Sequence, residues 1–258
     1  ILIGVHTFAY CIADSKKQVL TLRDYQIATP QHAAAAWQQL RQEDAWLGMT
    51  FGHVNLLFDT PHLLALPASL FQSEQIELYL QSAYHQLPAN LYSGYEQINA
   101  DTVVVFGADN LWQQILSDAF PQARRQSAAA TLLQYLAQQP AGDDDGALRV
   151  YAHVQEHHAT LAVFDKERQL QFLNGFEFRA ASDFLYFTML LFQQLQLDAQ
   201  TQPLYLSGSL LAESEVYSLL HKYIRHLHFL PAPAAVQFST AFDSIERHTY
   251  AELWTNLL

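Results

Sequence analysis

The sequence predicts an α/β chain built from two copies of one unit, each a mixed sheet flanked by helices. Residues 6–27 (HTFAYCIADSKKQVLTLRDYQI) and 157–178 (HHATLAVFDKERQLQFLNGFEF) align without a gap, each reading as strand, charged turn and strand. Identity is thin: His6/His157, Asp14/Asp165, Gln18/Gln169 and Leu22/Leu173. The apolar pattern agrees more widely, at Ile12/Val163, Val19/Leu170, Tyr25/Phe176 and Ile27/Phe178. Self-similarity at a fixed distance marks a repeated structural unit. After each hairpin, helical and extended patterns alternate, which argues for sheets with helices on their faces.

Strand formers fill residues 1–27 on both sides of the 14–18 turn. Thr29 and Pro30 then predict a helix start, with threonine as N-cap and proline at the first helical position. Trp37, Leu40 and Leu47 would form its apolar face. Residues 53–58 read as a buried strand ended by Thr60 and Pro61, and residues 63–66 as a further extended segment. Ser73 is the expected N-cap of a helix striped by Ile76, Leu80, Ala83, Tyr84 and Leu87. The β-branched run 102–106 predicts a strand covered on both faces. Leu111, Ile115 and Ala119 mark a helix ending at Pro121, and residues 128–139 another.

The run PAGDDDG at 140–146 cannot bury a face and favours turns, so it is the expected boundary. The division is residues 1–139, a linker at 140–147, and residues 148–258 with a closing C-terminal helix. Beyond the linker the pattern restarts. Residues 148–155, 159–164 and 170–178 read as strands, 184–197 as a largely apolar helix, and 204–206 as a short strand. Val216, Leu219, Leu220 and Tyr223 mark a further helix, and residues 227–230 a last strand. Thr240 to Asp243 has capping-box spacing and would begin the closing helix toward Trp254.

Composition narrows the function. Half of the 258 residues are apolar and 13% aromatic, which is globular. A formal charge of −12, from 25 acidic against 13 basic residues, repels phosphate backbones and argues against nucleic-acid binding. Cys11 is the single cysteine, so an intrachain disulfide is ruled out and a reducing, cytoplasmic setting is expected. The densest apolar stretch, 184–192, falls well short of the ~20 residues that span a bilayer. No signal peptide is visible, and a start at Ile1 rather than methionine implies a few missing native residues. Among twelve histidines no zinc-protease or paired-cysteine pattern occurs, so no metal site is expected.

The segments 66–71 (LPASLF), 174–176 (NGF), 183–186 (DFLY) and 204–208 (LYLSG) resemble an uncharacterised bacterial domain-of-unknown-function family. The chain is similar in organisation to the fold shared by actin, sugar kinases and Hsp70-type chaperones. It resembles above all the actin-like cytoplasmic proteins of type II secretion and type IV pilus assembly. The resemblance implies a duplicated actin-like (ribonuclease H-like) two-domain fold. It also implies that the first turn of each hairpin would carry an acid, a glycine and a hydroxyl residue around phosphate and metal. Here the first turn reads Val5-His6-Thr7-Phe8, with Gly4 one step early, and the second, from Val154 to Thr160, has no glycine. Thr7 and Thr160 are the hydroxyls left at those turns. Ser207, Gly208 and Ser209 resemble the turn that packs an adenosine. The expectation is a degenerate nucleotide site and a non-catalytic scaffold that binds another protein, with ATP the one cofactor left open. The alternatives are a regulator that binds ATP weakly and a small-molecule kinase of the same superfamily.

Overall fold

The structure, a computed structural model, describes residues 1–27, 33–139 and 148–258. The expected helix start at Thr29 and the linker at 140–147 lie outside the described residues. In chain order come β1 (Leu2–Ile3), β2 (Thr7–Ala13), β3 (Val19–Gln26), α1 (Ala33–Glu43), β4 (Asn55–Phe58), β5 (Leu63–Pro67), α2 (Ile76–Ala83), β6 (Leu91–Gln97), β7 (Thr102–Asp109), α3 (Asn110–Ala119), β8 (Arg124–Ser127) and α4 (Ala128–Gln138). There follow β9 (Arg149–Val154), β10 (His158–Phe164), β11 (Leu170–Glu177), α5 (Ala181–Gln194), β12 (Leu204–Gly208), α6 (Glu215–Leu220), β13 (Leu227–Phe229) and α7 (Ala251–Thr255).

These strands form two five-stranded sheets, β3-β2-β1-β4-β8 and β11-β10-β9-β12-β13, and a three-stranded sheet, β5-β7-β6. Both large sheets are mixed. In each, the first three strands run antiparallel, and the fourth and fifth join in parallel. Parallel neighbours need a crossover connection, which the intervening helices supply.

The two long hairpins close with the same chemistry. Asp14 Oδ1 accepts from the Gln18 amide at 2.9 Å, and Asp165 Oδ1 from the Gln169 amide at 2.8 Å. The Asp14 and Asp165 carbonyls accept from the Lys17 and Arg168 amides, both at 3.0 Å. Lys17 and Arg168 both sit in the left-handed region, at φ 63° and 67°. A side-chain oxygen reaching its own backbone is what lets aspartate hold such a turn without glycine. Each hairpin also carries a register shift one strand end away, at Ile12/Ala13 and Val163/Phe164.

The first core gathers around Phe8, whose ring lies 5.5 Å from that of Trp112 and 6.0 Å from that of Trp37. Phe8 is therefore a core residue and not part of the turn that its place in the sequence suggested. The second core joins Val163, Phe184, Phe192 and Leu206 between the second sheet and α5. Leu253 and Trp254 of α7 return to pack on Leu2, Ala9 and Leu57 of the first sheet.

Several boundaries differ from expectation. Leu47 lies in a separate 3-10 turn (Ala45–Gly48) that Asp44 caps by accepting from the Trp46 amide. Ser73 opens a 3-10 turn (Ser73–Gln75) and not the helix; α2 starts at Ile76 and ends before Leu87. Thr240 also begins only a 3-10 turn (Thr240–Phe242), and the closing helix is the five residues of α7. Two strands lie outside the expected set: β6 (LYSGYEQ), whose pattern is broken by Ser93 and Gly94, and β8 (RRQS), which has no apolar residue.

The second sheet meets the β4–β5 connection at one tight point. A Cβ placed on Gly175 would lie 2.1 Å from the Pro61 carbonyl oxygen, whereas one on Gly52 would meet nothing within 4 Å. Gly175→Ala should therefore cost about 2 kcal/mol or more through forced separation, visible as a drop in Tm. Gly52→Ala serves as the near-neutral control, and equal melting of the two variants would refute the close approach.

Candidate functional site

The turn between β1 and β2 and the turn between β9 and β10 are built alike. The Gly4 amide donates to the Thr7 carbonyl and the Gln155 amide to the His158 carbonyl, both at 2.8 Å. His6 and His157 stand at matching places and face each other edge to face, with ring centroids 5.9 Å apart. Between these turns lies a cavity of about 410 Å³, lined also by Asp24 and Gln26 of β3, Asp59 after β4, Ser209 after β12, and Thr249, Tyr250 and Glu252.

Register explains why Asp59 and Ser209 meet there. Each follows the strand that runs parallel to the one leading into a turn, Phe58 beside Ile3 and Gly208 beside Val154. Side chains at the C-terminal ends of parallel strands are carried to one rim of a sheet, where α/β proteins commonly bind ligands.

A buried polar cluster forms the inner wall. His158 Nε2 is 3.0 Å from Asp59 Oδ1, an ion pair with both side chains at or below 8% exposure. Burial alone would push the Asp59 carboxyl up, but the charge and hydrogen bond of His158 outweigh it and hold Asp59 low. Burial likewise opposes the charged form of His158, and Asp59 outweighs it in turn and raises the imidazole. His153 Nδ1 lies 3.0 Å from Ser207 Oγ, and Gln155 Nε2 lies 3.1 Å from His153 Nε2 and 3.3 Å from Glu252 Oε1. With the Gln155 amide donating to Nε2, the His153 ring proton sits on Nδ1 and is given to Ser207. Burial depresses His153 to about 4, and burial with the charge of Asp59 pushes Glu252 up to about 8. The His153 and Glu252 side chains, 3.7 Å apart, are thus both neutral near pH 6 and do not form an ion pair. Glu252 is wholly buried, and its Oε2 has no hydrogen-bond partner.

The residues singled out from sequence fall in different places. Thr7 and Ser209 line the cavity. Ser207 is buried and engaged by His153. Gly208 adopts φ +94°, and a Cβ there would sit 2.1 Å from the Val154 carbonyl oxygen, so its glycine identity answers to backbone packing. Thr160 is buried within β10, opposite His153 in register. The cavity brings Thr7 and Ser209 together and leaves Ser207 and Thr160 in the framework. Sequence reasoning missed Asp59, His158 and Glu252, which lie up to 193 residues apart in the chain (252 − 59). The paired turns that hold His6 and His157 were the one available signal. Among the described residues no group of three metal-ligating side chains is placed to hold an ion.

Glu252 keeps a proton in the fold up to about pH 8, which the unfolded chain releases near 4.5. Stability tied to that proton is lost as pH rises through this window, by up to about 1.4 kcal/mol per unit. His153, depressed from 6.5 to about 4, acts in the opposite sense below pH 6.5. Above pH 6.5 the raised His158 acts in the same sense as Glu252, while the buried Ile1 amino group, lowered to about 6, acts against both. Glu252→Gln should make the slope of Tm against pH between 6.5 and 8 more positive than in the parent chain, and an unchanged slope would assign the titration to another group.

A solved structure from Bacteroides thetaiotaomicron VPI-5482, described as a protein with actin-like ATPase fold and unknown function, is similar to this chain with a TM-score of 0.77. Identity is 22%, and the match covers 89% of this chain and 88% of that one. A chain of the PilM-PilN type IV pilus biogenesis complex is similar with a TM-score of 0.58 and 12% identity, over 99% of this chain and 95% of that one. The cytoplasmic domain of EpsL, an inner membrane component of the Vibrio cholerae type II secretion system, gives 0.46 and 13%, over 91% and 89%. No curated protein matches. The fold is actin-like on the strength of the first two. The sequence profile of a family described as a protein of unknown function, DUF3822, matches residues 1–227, so the chain belongs to the DUF3822 family.

Proposed function

We propose that this protein is a non-catalytic actin-like scaffold that works by binding another protein, with a cleft that no longer serves ATP. The two units are residues 1–139 and 148–258, joined at 140–147, and they derive from one duplicated ancestor. The paired Asp14 and Asp165 turns support the duplication. The C-terminal helix α7, assigned by sequence to the second unit, lies over the first.

The observation that carries this reading is the character of the cleft. A phosphate cradle needs exposed backbone amides or cationic side chains. Here the amides of Gly4 and Gln155 are spent on closing their own turns. The lining holds Asp24, Asp59, Glu156 and Glu252, and none of the described lining residues is lysine or arginine. A triphosphate would meet the like charge of Asp24 and Glu156, with the one charged imidazole of the wall, His158, already committed to Asp59. The PilM-PilN complex shows that a protein of similar fold is held in a complex with another protein, and this favours a protein partner here. A cytoplasmic setting is part of this reading; separately, no helix among the described residues is long and apolar enough to cross a membrane.

A weak nucleotide-responsive role is the second reading, favoured by Thr7 and Ser209 standing on the same cavity. A kinase has less support. A kinase needs a carboxylate beside a phosphate cradle, and of the acids near the hairpin turns Glu156 is exposed and Asp14 closes a hairpin.

Calorimetry with Mg-ATP separates these readings. The scaffold predicts no saturable heat at millimolar nucleotide, together with a specific protein recovered by crosslinking and affinity capture. Saturable binding that Ser209→Ala weakens tenfold would establish the nucleotide reading instead. Gly208 is unsuitable as a control because substitution there strains the backbone.

A further inference from the structure

We infer that the cleft between the paired turns binds an organic cation carrying N–H donors, an ammonium or guanidinium group, beside Asp59 and Glu252. The inference rests on the cleft being no nucleotide site, and goes beyond it by naming the chemistry that the cleft accepts.

Three observations carry it. The first is an orphaned carboxyl oxygen: Glu252 Oε2 is buried with no hydrogen-bond partner, although Oε1 of the same carboxyl accepts from Gln155. Once the carboxyl ionises, Oε2 is a buried acceptor left unpaired, and a donor brought by a ligand relieves that cost. The second is the charge balance. Asp24 and Glu156 stand on the rim without a described lysine or arginine to neutralise them, and Glu252 on the wall joins them once it ionises. The His158 charge is already committed to Asp59 Oδ1 at 3.0 Å. The third is size. About 410 Å³ would hold roughly a dozen waters at ~30 Å³ each, room enough for an alkyl guanidine or an arginine side chain.

Metal ions fit less well, since no three ligating side chains converge among the described residues. A guanidinium has five N–H donors in a fixed fork and can serve carboxylates and a side-chain amide together. The groups facing the Glu252 carboxyl are His153 and Gln155 at the end of β9, with Asp59 acting through its charge and His158 held by Asp59. Binding a cation there favours the ionised carboxylate, so the complex forms with release of the Glu252 proton. Affinity accordingly rises with pH up to about 8.

The probes are butylguanidine and its uncharged isostere butylurea, titrated calorimetrically into the whole chain at pH 6.5 and 8.5. We expect butylguanidine to bind at least tenfold more tightly than butylurea, and more tightly at pH 8.5 than at 6.5. Glu252→Gln should remove most of that preference and its pH dependence. Should that variant fail to fold, Asp24→Asn at the exposed rim, which keeps an oxygen for the Tyr250 hydroxyl, is expected to weaken guanidine binding several-fold while the chain stays folded. The peptide Ac-Gly-Arg-Gly-NH2, against its citrulline counterpart, distinguishes the source. Preference for the peptide indicates the side chain of a protein partner, and preference for butylguanidine a free small molecule. Equal binding of the charged and neutral probes, absence of binding by both, or displacement of butylguanidine by millimolar Mg²⁺ would overturn the inference. Saturable Mg-ATP binding overturns the scaffold reading as well, whereas failure of the guanidine probes alone leaves that reading standing.

Discussion

The contact on which the rest of the molecule depends is the ion pair between Asp59 and His158. Asp59 follows β4, the central parallel strand of the first sheet, and His158 begins β10, the middle of the three antiparallel strands of the second. Both charges are withdrawn from water, and such a pair adds little net stability over an apolar contact of similar shape. Its effect lies in specificity. Removing one partner would leave a buried charge uncompensated, so alternative placements of the second sheet against β4 are heavily penalised. The tight approach of Gly175 to Pro61 acts nearby in the same direction through sterics. Charge and shape together set how the two large sheets meet, and the cleft is the space left between their paired turns.

That arrangement accounts for the divided protonation of the wall. Asp59 and His158 keep their charges because they have each other. His153 is left neutral by burial, which outweighs the pull of Asp59, and Glu252 by burial together with the charge of Asp59. Four titratable groups within one small volume thus share two charges. The wall is net neutral, and the charge that the cleft presents comes from Asp24 and Glu156 at its rim.

Much of the fold was legible in the sequence, because hairpins and amphipathic helices announce themselves locally. The Asp14 and Asp165 turns were readable since aspartate and glutamine at a spacing of four make a turn from their own side chain and backbone. The strands β6 and β8 were not, because tyrosine, glycine and arginine there belong to elements half-exposed at a sheet edge, where alternation fades. Helix starts at Ser73 and Thr240 misled for a related reason: capping residues also favour isolated 3-10 turns, and only tertiary packing decides whether a helix continues. Of the site, the turns were visible and the chemistry was not. Asp59, His158 and Glu252 come together through parallel register and the return of α7, neither of which a linear pattern encodes.

The matched hairpin turns bear on how the chain finds its structure. Each closes over a handful of residues, so two nuclei of low contact order form early and at separate places. The central strands β1 and β9 must then choose between two similar hairpins, and a wrong choice would exchange strands between sheets. The thin identity between the two hairpin sequences guards against that exchange. Phe8 is shaped to a pocket of tryptophans and Ala159 to a strand flanked on both sides, so a swapped hairpin would leave either a void or a clash.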